Sequence, residues 1–268
     1  MAVIDYIAAH IVVWLLVLVR VSGLFVTAPI FGNYQVPAQV RILMALALAV
    51  VLAPLAVPQT APFPSAVLPF AAAILREALL GLAIGFIPML LFLAMQYAAQ
   101  LIDLQVGLGM GGWVDPTFRS TISPLSYLQY LLAMVLFLVL DGHHLIIEGL
   151  ANSFRMIPLG TFSYTSAITS GFTELFIRMG LIGMQVAAPV LSIMLIADMG
   201  LGILGRAAPQ LNLLIQSLSV KAVVALLALA AALPLFAYLM AHLFAEAREE
   251  LALFLRVSAP TLGVGYGR

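Results

Sequence analysis

Of 268 residues, 64% are hydrophobic and 8% are charged, with a formal net charge of +0 and no cysteine. A soluble domain carries roughly 25% charged residues, so lipid or partner chains must cover much of this surface. The balanced charge argues against a nucleic-acid-binding face. The absent thiols exclude disulfides, thiolate metal sites and cysteine nucleophiles.

Six apolar blocks follow in chain order: Ile11–Phe31, Ile42–Val57, Leu68–Ala98, Leu125–Leu140, Ile177–Ala197 and Ala222–Leu243. The start, MAVIDYIAAHIVVWLL, has an acidic rather than basic leading region, so the first block reads as a retained helix and not a cleaved signal. The second and fourth blocks are short against the about 20 residues of a bilayer span. The third is long enough to tilt or to kink at Pro88. Pro189 and Pro234 interrupt the fifth and sixth.

The breaks between blocks carry turn formers. They are Asn33–Pro37, the proline-rich stretch Pro54–Pro69, Asp141–His144, Pro158–Gly160 and Asp198–Gln210. Glu246–Arg256 reads as an amphipathic helical tail, and Ser258–Arg268 as a loose end. Loop charge leaves the orientation open. Arg41, Arg119, Arg206 and Lys221 fall on one side, and Arg155, Arg178, Arg248, Arg256 and Arg268 on the other.

Charges inside apolar runs must face protein or water. Arg20 lies in the first block, Arg76 and Glu77 in the third, and Asp103 just beyond it. Neighbours on a helix point about 100° apart, so Arg76 and Glu77 each need a separate partner. Structural pairing is favoured over a conducting role. Small residues recur at helical spacing in Gly81/Gly85, Gly180/Gly183/Ala187 and Ala225/Ala228/Ala232, a pattern that lets helix backbones approach closely.

Gly107, Gly109 and Gly112 spell Gly-x-Gly-x-x-Gly. A dinucleotide site would need a preceding strand, a following helix and an acidic residue about 20 positions on. Asp115-Pro116 breaks such a helix, and no acidic residue lies between Asp115 and Asp141. The glycines, with Gly111, instead supply backbone freedom, and Met110, Trp113 and Phe118 supply bulk. Such a loop can fill a hole and yield; the alternative is a packed turn.

Asp141, His143, His144 and Glu148 form the one dense titratable cluster. His144 and Glu148 share a helix face at a spacing of four. Zinc would need further ligands that the sequence does not group nearby. There is no His-Glu-x-x-His pattern and no Gly-x-Ser-x-Gly elbow. The reading is structural, with no metal, no cofactor and no catalysis. IEGLANSFRMIPLG, with Asn152 and Ser153, reads as a helix end entering a turn, and Asp198, Gly200, Gly202 and Gly205 as a tight polar interruption.

Several stretches together carry a likeness. RVSGLFVTAPIFGNYQVPAQVRILMALALAVVLAP holds Pro29, Pro37 and Arg41; REALLGLAIGF spans Arg76–Phe86; AAQLIDLQVGLGMGGWVDP spans Ala98–Pro116. DGHHLIIEGLANSFRMIPLG and PQLN at Pro209–Asn212 complete the order. The chain resembles the FliR family of flagellar type III export proteins from about Val12 to Leu243. The resemblance implies an all-α integral membrane-type protein of about six long, partly broken helices. It implies a FliP-like portion over 1–171 and a FliQ-like portion over 172–268, closing a helical export gate.

The expected role is to help form and seal a conduit for unfolded flagellar subunits in the bacterial inner membrane, at the flagellar basal body. The plug loop would map to 106–123, with Met110, Trp113 and Phe118 as obstructing groups. Implied partners are FliP-like, FliQ-like and FlhB-like subunits, the basal body ring and membrane lipid, without nucleic acid. The resemblance implies that separate cytoplasmic components and the proton motive force drive the passage; no ATP site is visible in this sequence. The competing readings are a small-molecule or ion transporter, a structural membrane scaffold and a membrane enzyme. The transporter would show an internal repeat with matched breaks.

Overall fold

The computed structural model describes residues 2–32, 36–56, 66–107, 124–207 and 213–259. Among these, seven helices form: α1 Ala2–Thr27, α2 Ala38–Ala56, α3 Val67–Val106, α4 Pro124–Val139, α5 Gly142–Met156, α6 Ser166–Ala207 and α7 Leu213–Ser258. Five are long and apolar enough to cross a membrane, or six if α4 and α5 count as one broken span. Pro54, Pro88, Pro189 and Pro234 all lie inside helices. Each removes one i to i−4 bond, and the flanking turns keep the helices continuous.

The helices sort into two compact units that interleave along the chain. One comprises residues 1–90, 141–175 and 244–268, the other 91–140 and 176–243. They follow packing rather than chain order, and so do not bear on a division at residue 171.

In the first unit, α1 lies against the first half of α3 through glycine. A Cβ on Gly81 would overlap the carbonyl oxygen of Arg20, and one on Gly85 would sit 2.7 Å from that of Leu24. From the other side, a Cβ on Gly23 would come within 2.7 Å of the Ala78 carbonyl oxygen. Thr27 Oγ1 donates to the Leu82 carbonyl at 2.9 Å across the same seam. The Gly-x-x-x-Gly pattern therefore does what its spacing implies, inside one chain. Leu16, Val17, Leu24, Leu80, Ile84 and Leu150 fill the core around it. The α2 helix packs on α1 and α5 yet leaves Ile42, Leu43, Val50 and Val51 exposed.

In the second unit, Phe92 meets Phe137 edge-on, with ring centroids 5.3 Å apart, and Ala98, Ile102 and Met194 are fully enclosed. Of the second small-residue set, a Cβ on Gly183 would lie 2.8 Å from the Ala94 carbonyl oxygen and Ala187 is buried, while Gly180 has open space around it. Leu195, Ile196, Met199, Leu226, Leu227 and Tyr238 are exposed along α6 and α7. Such apolar surface on spanning helices suits lipid or partner helices.

Three expectations change. The predicted interruption at Asp198–Gln210 is helical through Ala207, because Asp198 finds side-chain partners and does not need to break the helix. The tail Glu246–Arg256 is the continuous end of α7 and not a separate helix; no proline or glycine stands between Leu235 and Ser258. The predicted break at Asp141–His144 is helical from Gly142 onward, as the start of α5, whose end at Met156 runs into a turn as the sequence implies. Asp141 precedes it with φ 55°, in the left-handed region that aspartate tolerates, and its carbonyl accepts from the His144 N–H at 2.9 Å.

Candidate functional site: two polar clusters and the base of the glycine-rich segment

Arg20 is fully buried on α1. A guanidinium without partners there would be prohibitive, and every edge of it is used. Its Nε lies 2.5 Å from Glu77 Oε2 on α3. One terminal nitrogen donates to Ser153 Oγ at 3.1 Å, the other to the Ile157 carbonyl at 3.2 Å. The guanidinium carbon sits 4.4 Å from the centroid of the Phe154 ring, within cation–π range. Ser153 Oγ in turn donates a hydrogen bond to the Leu150 carbonyl at 2.7 Å.

Glu77 is equally buried, and its second oxygen accepts from the Gly160 N–H at 2.7 Å. Arg76, exposed beside it, donates to the Gly160 carbonyl at 3.0 Å. The two adjacent side chains thus take separate partners, as their helical spacing requires, and both hold one glycine. Gly160 has φ 75°, which a side chain would strain. The cluster ties α1, α3, α5 and the turn after α5 at one buried point.

The second cluster surrounds the ends of the glycine-rich segment. Asp103, 4% exposed near the end of α3, accepts a hydrogen bond from Ser126 Oγ in the first turn of α4. Gln105 Nε2 donates to Asp198 Oδ2 at 2.8 Å, and Lys221 Nζ lies 2.5 Å from Asp198 Oδ1. α3, α4, α6 and α7 are joined by these contacts within the second unit. Gly107 caps α3: its N–H donates to the Asp103 carbonyl at 2.9 Å, and its φ of +88° turns the chain away. The chain leaves at Gly107 and returns at Pro124, with Asp103 and Ser126 in contact between those ends.

Of the predicted site residues, Arg20, Glu77 and Arg76 converge on one cluster, while Asp103 and Gly107 stand at the other. Gly109, Met110, Gly111, Gly112, Trp113 and Phe118 lie outside the described residues. Sequence reasoning did not pair Ser126, Gln105, Asp198 and Lys221. The available signal was their polarity beside apolar runs, but the sequence cannot show which of them meet. Asp141, His143 and His144 each bring one ligand atom within 4.8 Å of the others at the start of α5, with Asp141 and His144 exposed and His143 half-buried. Glu148 instead pairs with Arg248 at 3.0 Å on the surface.

Among the described residues, these clusters join helices through buried and part-buried polar contacts. Comparison with known proteins agrees with a membrane component of that kind. Residues 11–247 match the family described as bacterial export proteins, family 1. The flagellar biosynthetic protein FliR of Escherichia coli K12 is 31% identical, over 88% of this chain and 89% of its own length. That of Bacillus subtilis 168 is 32% identical, over 81% of this chain and 84% of its own. The Yop proteins translocation protein T of Yersinia pestis is 29% identical over 58% of this chain and 60% of its own. The chain therefore belongs to the FliR family of bacterial export proteins, as a non-enzymatic, multi-span helical component of the flagellar export apparatus in the bacterial inner membrane at the flagellar basal body.

Proposed function

We propose that the chain helps to form and seal the conduit of the flagellar type III export gate, through which unfolded flagellar subunits pass. Segment 106–123 acts as the seal, with Met110, Trp113 and Phe118 as obstructing groups. Residues 1–171 act as a FliP-like portion and 172–268 as a FliQ-like portion. FliP-like, FliQ-like and FlhB-like subunits, with the basal body ring and lipid, surround it. The broad exposed apolar faces of α2, α6 and α7 suit such neighbours.

The observation that supports sealing is the Asp103–Ser126 contact. It holds both ends of the glycine-rich segment together at a polar base anchored to α6 and α7 through Asp198. A loop with fixed ends and glycine-rich freedom between them can occlude a passage and yield without disturbing its supporting helices. The test is deletion of Gly107–Gly112 in the native host, with gate assembly checked on native gels. Intact assembly with raised membrane ion leak supports the seal. Intact assembly with normal leak and normal secretion overturns it, and failure to assemble moves the segment to structural closure.

A further inference from the structure

The start of α5 gathers Asp141, His143 and His144, which neither polar cluster uses. Adjacent residues on a helix point roughly 100° apart, yet the imidazoles of His143 and His144 converge, with ring centroids 4.3 Å apart and a tilt of 36°. Asp141 stands at the N-cap of α5, where an aspartate ordinarily accepts from a main-chain N–H of the first turn. Its carboxylate makes no such bond; Oδ1 instead lies 3.2 Å from His144 Nδ1. One ligand atom from each of the three residues falls within 4.8 Å of the others. His143 Nδ1 is shielded from solvent and has no hydrogen-bond partner among the described residues, which leaves that ring short of a contact.

We propose that Asp141, His143 and His144 bind a divalent transition-metal ion of zinc's class, each through a single ligand atom. Two imidazoles and a carboxylate suit Zn²⁺, whereas Mg²⁺ and Ca²⁺ prefer oxygen donors alone. Sequence spacing leaves zinc short of a fourth protein ligand, but three ligands with a further position left to water are a set that zinc accepts. Glu148 is not needed and pairs with Arg248. An Asp141–His144 ion pair explains less. Both side chains are more than two-thirds exposed, so solvent screens their attraction, and such a pair gives no reason for His143 to join them. The same exposure gives an ion its entry path. Bound there, the ion ties Asp141 to the first turn of α5. It thereby steadies the helix that supplies Ser153 and Phe154 to Arg20.

The test is equilibrium dialysis of the full chain, purified in detergent without a polyhistidine tag, against Zn²⁺ in a non-chelating buffer. The chain should bind zinc in equimolar amount and keep it against excess Mg²⁺ and Ca²⁺. His144→Gln and Asp141→Asn, both at exposed positions, should each weaken binding about tenfold or more, since even an outer partner of a metal ligand contributes that much. His143→Gln should do the same; if that half-buried variant does not fold, the two exposed substitutions decide. His10→Gln and His242→Gln, far from this turn in the chain, should leave binding unchanged. Absence of equimolar zinc, zinc held as tightly by His144→Gln, or displacement by Mg²⁺ or Ca²⁺ overturns the proposal. So does an equal loss in His10→Gln or His242→Gln, since zinc is then an adventitious ion on scattered imidazoles.

Discussion

Arg20 and Glu77, 57 residues apart in the chain, meet at 2.5 Å with neither side chain reaching solvent. Their contact joins α1 to α3 at the seam where Gly81 lets the two backbones touch. Close approach and ion pair depend on each other: the glycine brings the helices together, and the pair makes that approach specific. Removing one partner should leave an uncompensated buried charge and cost about 3–5 kcal/mol. Arg20→Met should thus lower the unfolding temperature sharply in detergent, and R20M/E77M should recover part of the loss. A double variant no better than R20M would show that the pair is not the reason.

Gly81→Ala and Gly180→Ala separate packing from propensity. The first drives a methyl into the Arg20 carbonyl; the second meets nothing. Gly81→Ala should destabilise by about 1–3 kcal/mol or prevent assembly. Gly180→Ala should be neutral or stabilise by up to about 1 kcal/mol through helix propensity. Thermal unfolding of both variants side by side decides; equal effects would refute the close approach at Gly81.

Gly107→Val should strain the exit from α3, since φ +88° excludes a β-branched residue. The expected cost is about 1–3 kcal/mol, with secretion impaired more than assembly. Gly107→Asn should be milder, because asparagine tolerates positive φ. Secretion assays with native gels check both, and a tolerated valine would mean that this backbone conformation is not required.

Asp198→Asn removes the charge that faces Lys221 and weakens the contact with Gln105. Together with Ser126→Ala, which removes the Ser126 hydrogen bond to Asp103, it should loosen the base of the glycine-rich segment. Assembled complexes should then show raised ion leak, greater for the pair of substitutions than for either alone. Unchanged leak in assembled complexes would separate this polar base from sealing.

The surface pair Glu148–Arg248 is the contrast. Both side chains are more than half exposed, so solvent and salt screen the attraction. A double-mutant cycle should return about 0.2–1 kcal/mol, falling as salt is added. A coupling as large as that expected for Arg20 and Glu77 would overturn the ranking of the two pairs by burial.

Sequence by itself determined the helical membrane class, because apolar runs of spanning length leave the backbone no alternative but internal hydrogen bonding. It also showed that Arg76 and Glu77 could not serve each other, since their angular separation on a helix is a local property. Gly81/Gly85 marked a close helix contact, and the order of several motifs marked the family. Tertiary structure decided the partners. Nothing local to Glu77 points to Arg20 rather than another buried cation, and nothing local to Asp198 points to Gln105 and Lys221. That information lies in which helix faces meet. The same reason explains why Asp198–Ala207 is helical where the local sequence favours a break. An aspartate beside glycines favours a turn when its side chain must satisfy itself locally, and continues a helix when two other helices supply its partners.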